Sequence, residues 1–401
     1  VAEANERLAQ YIVPLQRTQQ VSVADALDRV TAAQLRSPVD LPSFSRSTMD
    51  GFAVRATDTY GASEGLPAYL TICGEVPMGR AANLEVRIGE AAQVHTGGML
   101  PHGADAVVMI ENTQMLDERL LEVVRPVAMG ENVIPVGEDV RAGVELFPRG
   151  HWLRPQDLGG LAGVGITSIP VVARPRVAIL ATGDEVVPAS QAPAPGQVRD
   201  INTYTVVALT RRAGGEPMPI GIAPDNAAAL RQMAADALAA ADVLIISAGS
   251  SVSTRDITAQ VIADLGRPGV LVHGVSIHPG KPTILAVANG KPVFGLPGNP
   301  VSTMVAFNLF VSPTLLKLQG CAQPRTQPSV WARLARNVAS HAGAEDFVPV
   351  RLADRDGALW AEPVFGKSNL IYTMVHADGM LRVPLDLAGL YAGDSVEIQL
   401  F

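Results

Sequence analysis

The chain has 401 residues, of which 48% are hydrophobic and 17% charged, enough for two to four domains with real cores and too apolar for a disordered chain. Its 31 Lys+Arg stand against 39 Asp+Glu, a formal charge of −8, opposite in sign to the basic field of a nucleic-acid binder, so nucleic acid is not an expected partner. The two cysteines, Cys73 and Cys321, lie far apart with no CxxC, which argues against a disulfide framework and a structural zinc site.

Taken from the amino end, apolar residues at Leu8, Ile12, Leu15, Val23, Ala26, Leu27 and Val30 recur at three- and four-residue steps and predict a helical opening over Val1 to Thr31. That segment carries charges and a proline rather than an apolar leader, and no stretch approaches about 18 uninterrupted apolar residues. A cytoplasmic location with no membrane partner is the expectation. From Pro38 to Leu146, short alternating runs broken by Gly and Pro predict a mostly β region. At Arg174-Pro-Arg the texture changes to a buried-strand run, Val177-Ala-Ile-Leu-Ala, ending in Thr182-Gly-Asp-Glu. A helix is predicted near Asn202, a strand after Gly214-Gly215, and an amphipathic helix over Asn226 to Ala240. The strand Val243-Leu-Ile-Ile then ends in Ser247-Ala-Gly-Ser-Ser, and Lys291-Pro-Val-Phe-Gly-Leu ends in Pro297-Gly-Asn-Pro. Such alternation predicts a three-layer α/β domain on a parallel sheet, with ligands beyond the carboxyl ends of its strands. Val301 to Leu318 reads as a strongly apolar helix, Pro324 and Pro328 mark a linker, and short strands after it predict a small closing β-barrel. The expected organisation is a helical or extended N-terminal linker domain (1–43 plus 140–173), a β-rich inserted domain (44–139), the α/β domain (174–322) and the C-terminal β-barrel (323–401).

Chemistry should concentrate at the Gly-containing strand ends. In Gly298-Asn299-Pro300, Asn299 can cap a helix whose first residue is Pro300, leaving backbone N–H groups and a positive dipole end for an anion. His278 and Lys281 flank the Pro279-Gly280 turn, where a lysine can reach an oxyanion. The small residues Ser247, Gly249, Ser250 and Ser251 allow backbone to approach phosphate. The carboxylates Asp184, Glu185, Asp225 and Asp256 fall at or near the same sheet edge if the strand order holds. Hard oxygen ligands beside a phosphorylated ligand call for Mg²⁺ rather than zinc.

Several ordered motifs carry a resemblance. Ser47-Thr-Met-Asp50-Gly-Phe-Ala-Val, Thr96-Gly-Gly-Met-Leu-Pro-His-Gly-Ala-Asp-Ala-Val-Val, Gly137-Glu-Asp139, Thr182-Gly-Asp-Glu185, Pro279-Gly-Lys-Pro282, Gly295-Leu-Pro-Gly-Asn-Pro-Val-Ser302 and Gly366-Lys-Ser368 occur in that order. Together they resemble the MoeA-type molybdopterin molybdenumtransferases, the family that includes the E domain of gephyrin, over essentially the whole chain. The resemblance implies that the α/β domain binds molybdopterin and that the protein inserts molybdenum from molybdate into adenylylated molybdopterin, releasing AMP with Mg²⁺. It also implies a homodimer whose site lies at the subunit interface, with Asp50, Thr96 and Asp139 of one subunit facing the α/β domain of the other. The substrate would arrive from an adenylyltransferase and the product would pass to molybdoenzymes.

On this resemblance Asp50, Asp139, Asp225, Asp256 and Lys281 are the catalytic candidates. Lys281, Ser302 and Ser368 would hold oxyanion oxygens; Glu185, Asp225 and Asp256 would organise Mg²⁺. Thr182, Gly183, Asp184, His278, Gly280 and Gly298 complete the expected binding set. His278 stands where the family often carries Lys in K-P-G-K-P, which makes one charge titratable. Pro349 replaces a usual Arg, with Arg351 nearby, and the loop from Gly249 to Asp256 is one residue shorter than in many members. Two competing readings are a molybdopterin adenylyltransferase, whose fold the α/β domain resembles, and a non-catalytic scaffold like gephyrin.

Overall fold

The computed structural model describes residues 1–247, 252–323, 327–340 and 342–401, with no account of the side chains of 252–255. The first helix, α1 (Ala2–Ala9), is much shorter than the predicted opening. Its buried Ala4 and Leu8, followed by Ile12, join the core of the α/β domain. Beyond Pro14 the chain is extended, and β1 (Thr18–Ser22) pairs antiparallel with β8 (Ser168–Val172). The helical period was misleading here because Val23, Ala26 and Val30 are buried by contacts with residues more than a hundred positions away, including Leu153, Leu161, Ile169 and Val171. Tertiary burial overrode local periodicity.

The β-rich region is a six-stranded sheet. Its order is β5 (Ala106–Met109), β2 (Gly51–Val54), β4 (Glu90–Val94), β3 (Ala68–Glu75), β7 (Leu120–Val123) and β6 (Thr113–Met115). Val54, Val108, Leu121 and Val123 are fully buried between its strands. Gly51 is required: a Cβ there would lie 2.0 Å from the Val108 carbonyl oxygen.

The chain returns through α2 (Pro155–Gly163) and β8 to the α/β domain. Its sheet runs β10 (Glu216–Ala223), β9 (Arg176–Thr182), β11 (Val243–Ser247), β14 (Lys291–Leu296), β13 (Ile284–Ala288) and β12 (Pro268–His273). The first four strands are mutually parallel, as the alternation predicts. The sheet as a whole is mixed, because β13 and β12 run antiparallel to their neighbours. Asn289-Gly290 closes a short hairpin between β13 and β14, with Asn289 at φ 52° and Gly290 at φ 83°, so no crossover helix intervenes.

Helices cover both faces. On one, α3 (Asn202–Arg212), α1 and α6 (Pro300–Leu318) bury Val206, Leu8, Phe307 and Phe310 against Ile179, Ile245 and Phe294. On the other, α4 (Ala227–Ala240) and α5 (Val252–Asp264) pack Leu230, Ala234 and Ile262 on Leu180, Leu244 and Ile246. Each fully buried Leu, Ile or Phe contributes about 1.5–3 kcal/mol. The apolar α6 has the length and composition of a membrane span, but 61% of it is buried inside the protein as a core helix. Its middle, Phe307–Val311, widens to a π-helix.

The last domain is the predicted barrel. β15 (Ser329–Leu334), β16 (Glu345–Arg355), β17 (Ala358–Pro363), β18 (Gly379–Val383) and β19 (Ser395–Leu400) close in the order β16-β17-β15-β19-β18-β16. Closure pairs each of these five strands with two neighbours, and Leu334, Val350, Ala361, Val383 and Ile398 fill the interior.

Candidate active site at the strand ends

The carboxyl ends of β9, β11 and β14 open into a cleft of about 360 Å³. Thr182, Glu185, Ser247, Gly298, Asn299 and Pro300 line it, together with Asn202 at the start of α3 and Asn369 from the barrel domain. The parallel register explains the convergence, since Ala181 lies opposite Ser247, and Ser247 opposite Leu296. Asn202 ties the ends together: its buried amide donates to Ser247 Oγ at 2.9 Å and to the Gly298 carbonyl at 2.7 Å. Asp200, also buried, accepts from the Thr203 N–H at 3.0 Å and holds the first turn of α3 in place. The sequence reading marked the helix start but missed both roles. The Asp-Ile-Asn cap-like run was the available signal.

Asp225 and Asp184 sit at the neighbouring strand end. Thr182 Oγ1 donates to Asp225 Oδ1 at 3.1 Å, and the Asp225 N–H donates to Asp184 Oδ1 at 3.0 Å. Gly183 has φ +145°, and a Cβ there would meet Glu185 Oε2 at 2.8 Å. This glycine therefore lets the chain fold the Glu185 carboxylate back across the strand end. On its other side Gly183 and Asp184 border a larger, more apolar cavity of about 730 Å³, shared with Tyr204, Pro219 and Pro224.

At the start of α6 the outcome differs from the expected cap. Asn299 makes no side-chain cap bond. Its amide donates to Ser368 Oγ at 2.9 Å, and the Val301 N–H donates to the Ser368 carbonyl at 3.2 Å. Pro300 has no N–H and the Val301 N–H is engaged by Ser368, so the start of α6 also forms a junction with the barrel domain, while Gly298, Asn299 and Pro300 line the cleft. Ser302 is buried at 4% exposure. The Pro279-Gly280 turn lies alongside it, because a Cβ on Gly280 would come within 3.7 Å of the Ser302 carbonyl oxygen.

A second cleft of about 450 Å³ follows on the barrel side, lined by His278, Pro279, Val301, Lys367 and Ser368. His278 is anchored there by its Nδ1, 3.0 Å from Asp346 Oδ1. Lys281 is exposed and lines neither cleft. Asp256 is exposed on α5 and likewise lines neither, while Gly249, Ser250 and Ser251 lie outside the described residues.

Asp50 and Thr96 belong to a separate neighbourhood in the β-rich region. The Thr96 N–H donates to Asp50 Oδ1 at 3.0 Å. His95 Nε2 lies 3.0 Å from Glu75 Oε1, and its Nδ1 lies 3.5 Å from Asp50 Oδ1. Adjacent ends of β2, β4 and β3 set this row. The hydrogen bond to Glu75 raises the pKa of His95, and the Thr96 N–H lowers that of Asp50. Asp139 is exposed, its N–H bonded to the Leu41 carbonyl. Among the described residues, none of Asp50, Thr96 and Asp139 lines the cleft at the strand ends.

No trio of His, Cys, Asp or Glu among the described residues forms a closed metal cage. Mg²⁺ does not need one: it is commonly held by one or two carboxylates and completes its shell with water and substrate phosphates. Glu185 at the cleft wall and Asp225 on Thr182 fit that mode.

Three family models match: the MoeA N-terminal region (domains I and II) over residues 1–165, the probable molybdopterin binding domain over 178–317, and the MoeA C-terminal region (domain IV) over 331–401. The chain is 33% identical to the molybdopterin molybdenumtransferase of Bacillus subtilis, covering 96% of this chain and 90% of that one. It is 31% identical to the protein of the same name from Haemophilus influenzae, over 99% and 97%. The crystal structure of the molybdopterin biosynthesis MoeA protein from Pyrococcus horikoshii OT3 superposes with a TM-score of 0.87 at 31% identity, covering 100% and 99% of the two chains.

Proposed function

The chain belongs to the MoeA family of molybdopterin molybdenumtransferases, and from that premise we propose that it transfers molybdenum from molybdate to adenylylated molybdopterin, releasing AMP, as the final step of cofactor synthesis. The observation that carries the reading is the polar cleft where three strand ends, the start of α6 and a barrel-domain loop meet. Its walls present hydroxyl, amide and carboxylate groups at Ser247, Thr182, Asn299 and Glu185, a set suited to a ligand that combines phosphate, sugar and a polar ring.

In this proposal Glu185 and Asp225 would hold Mg²⁺, which would supply positive charge beside the phosphate groups of the ligand. Thr182 keeps Asp225 oriented through its 3.1 Å hydrogen bond. Asn202 fixes the Ser247 hydroxyl and the Gly298 carbonyl in one geometry, so the ligand meets a wall that is already arranged. His278 lines the barrel-side cleft on the turn beside Ser302, from which the exposed Lys281 would have to swing inward to reach oxyanion oxygens, and Ser368 closes that side from the barrel domain. Asp256 would join from α5. Asp50, Thr96 and Asp139 complete the site from a second subunit, so the working form in this reading is a cytoplasmic homodimer. It would receive substrate from an adenylyltransferase and pass product to molybdoenzymes.

The test incubates the full chain with adenylylated molybdopterin, molybdate and Mg²⁺ and measures AMP release and molybdenum-loaded cofactor. A parallel arm supplies molybdopterin, ATP and Mg²⁺. Consumption of the adenylylated compound with molybdate supports insertion. Adenylylation in the second arm with none in the first would replace it with the adenylyltransferase reading, and inactivity in both arms would favour the scaffold.

A further inference from the structure

At the opposite edge of the α/β sheet, four arginines converge. Arg17 precedes β1, Arg29 follows the first turn of the N-terminal domain, and Arg174 and Arg176 span the passage from β8 into β9. With Thr18, Gln19 and Glu216 they line an open cleft of about 590 Å³. Arg176 and Glu216 are the first residues of β9 and β10 and face each other in register. The six steps of β9 therefore put this cleft about 20 Å from the catalytic strand ends.

The charge balance is uneven. Arg17 forms an ion pair with Asp242, and the same carboxylate accepts the Arg176 N–H at 2.7 Å. Arg29 is only 5% exposed. Its Nη2 donates to the Val172 carbonyl at 2.9 Å, and with the Gln19 amide assigned so that its oxygen faces the guanidinium, that oxygen accepts from Nη1 and Nη2 at 2.8 and 3.0 Å. Among the described residues no carboxylate pairs with Arg29, and the Nε atoms of Arg29 and Arg176 are buried without a hydrogen-bond partner, the latter 3.9 Å from Asp242 Oδ2 as an ion pair. Arg174 is half-buried and makes no hydrogen bond or ion pair among the described residues. Four guanidiniums thus face two carboxylates, Asp242 and Glu216, leaving two positive charges in excess.

A buried guanidinium stays charged, and the neutral Val172 and Gln19 oxygens satisfy N–H groups of Arg29 without neutralising its charge, which an anion in the cleft would do. Burial first, and Arg174 second, push Arg29 below the usual arginine range. Planar N–H forks match a tetrahedral oxyanion, and such charge-assisted bonds are the strong ones. We propose that this cleft is a binding site for a tetrahedral dianion, a phosphate group or a metal oxyanion, which bridges the N-terminal domain to the amino edge of the α/β sheet. Because Arg17 and Arg29 come from one domain and Arg176 from the other, an occupied site clamps the passage between them. This inference does not rest on the insertase reading, since it uses no residue of the catalytic cleft.

The test titrates the full chain carrying Lys281→Ala, which weakens competition from the catalytic turn, with inorganic phosphate and, separately, with molybdate by calorimetry. One anion per chain is expected, with affinity falling about tenfold or more in Arg174→Gln. Arg174→Lys should recover part of the loss by keeping the charge without the fork. Arg174 is preferred to Arg29 for substitution because Arg29 is buried on the Val172 carbonyl and its loss would also damage folding. Anomalous scattering from a molybdate-soaked crystal should place density among the four arginines if molybdate binds. Phosphate binding without molybdate would assign the site to phosphorylated ligands; molybdate displacing phosphate would assign it to either oxyanion. Unchanged affinity in Arg174→Gln, no binding of either anion, or bound molybdenum only elsewhere would overturn the proposal.

Discussion

Replacing Gly183 by alanine places one methyl group in the most constrained turn of the candidate site. The residue sits at φ +145°, where L side chains are rare, and the added Cβ would lie 2.8 Å from Glu185 Oε2 and 2.9 Å from Val186 Cγ2. Ordinary carbon contacts begin at about 3.5 Å, so each neighbour must yield by roughly 0.6 Å or more. Val186 is β-branched and stiff; the Glu185 carboxylate ends a flexible side chain and moves more easily. Backbone strain of about 1–3 kcal/mol is small against a stability of about 5–15 kcal/mol, so the protein should fold with a melting temperature lowered by a few degrees. The displaced carboxylate should raise the Mg²⁺ concentration for half-maximal AMP release by about 10- to 100-fold, equivalent to about 1.4–2.7 kcal/mol. In a Glu185→Ala background the same substitution should leave the Mg²⁺ response unchanged, because the group it displaces is gone. A folded Gly183→Ala protein with the original Mg²⁺ response, or simple additivity of the two changes, would refute this account of Glu185.

Three further outcomes can be checked. Asn202→Leu leaves Ser247 Oγ and the Gly298 carbonyl without their shared donor, and should cost about 1–3 kcal/mol in denaturant unfolding while weakening binding of the adenylylated substrate. Burial alone would raise the pKa of Asp157, but hydrogen bonds from Arg154 and His151 and the Arg154 N–H bring it down to about 2. The folded value lies below the unfolded one, so its contribution of roughly 2 kcal/mol is present above pH ~4 and lost as pH falls through about 2; Asp157→Asn should flatten that acid limb in unfolding experiments. His95 has a pKa raised by its hydrogen bond to Glu75. Its stabilising contribution is full below the unfolded value of about 6.5 and disappears as pH rises through the higher folded value. An NMR titration of His95 should show this, with Glu75→Gln returning it toward 6.5, and no change in that variant would remove Glu75 as the cause.

Much of the architecture was legible because its signals are local. The buried runs from Val177 and Val243, the Gly183 turn after the first of them and the Asn226 cap each state their structure within a few residues. The β-barrel was legible as alternation, although its closure through pairing of β16 with β18 was not. The opening segment shows where local reading fails: Val23, Ala26 and Val30 imitate a helical face, yet Val23 and Ala26 pack with residues of β8 and α2, and Val30 bridges to Trp152. The candidate site divides in the same way. Thr182, Glu185, Ser247 and Asn299 could be named from strand ends, while the engagement of Asn299 by Ser368, almost seventy residues later, could not.

Where strands end, which turns need glycine and which family carries this order of motifs could all be read along the chain, because those properties depend on neighbouring residues and on their order. Which polar groups meet was settled by the folded packing. It gave Asn202 its two acceptors, assigned the first donor of α6 to the barrel domain, and gathered four arginines at the far edge of the sheet. Hydrogen bonds and ion pairs act over a few ångströms, and sequence separation does not encode those distances until the sheet fixes its register.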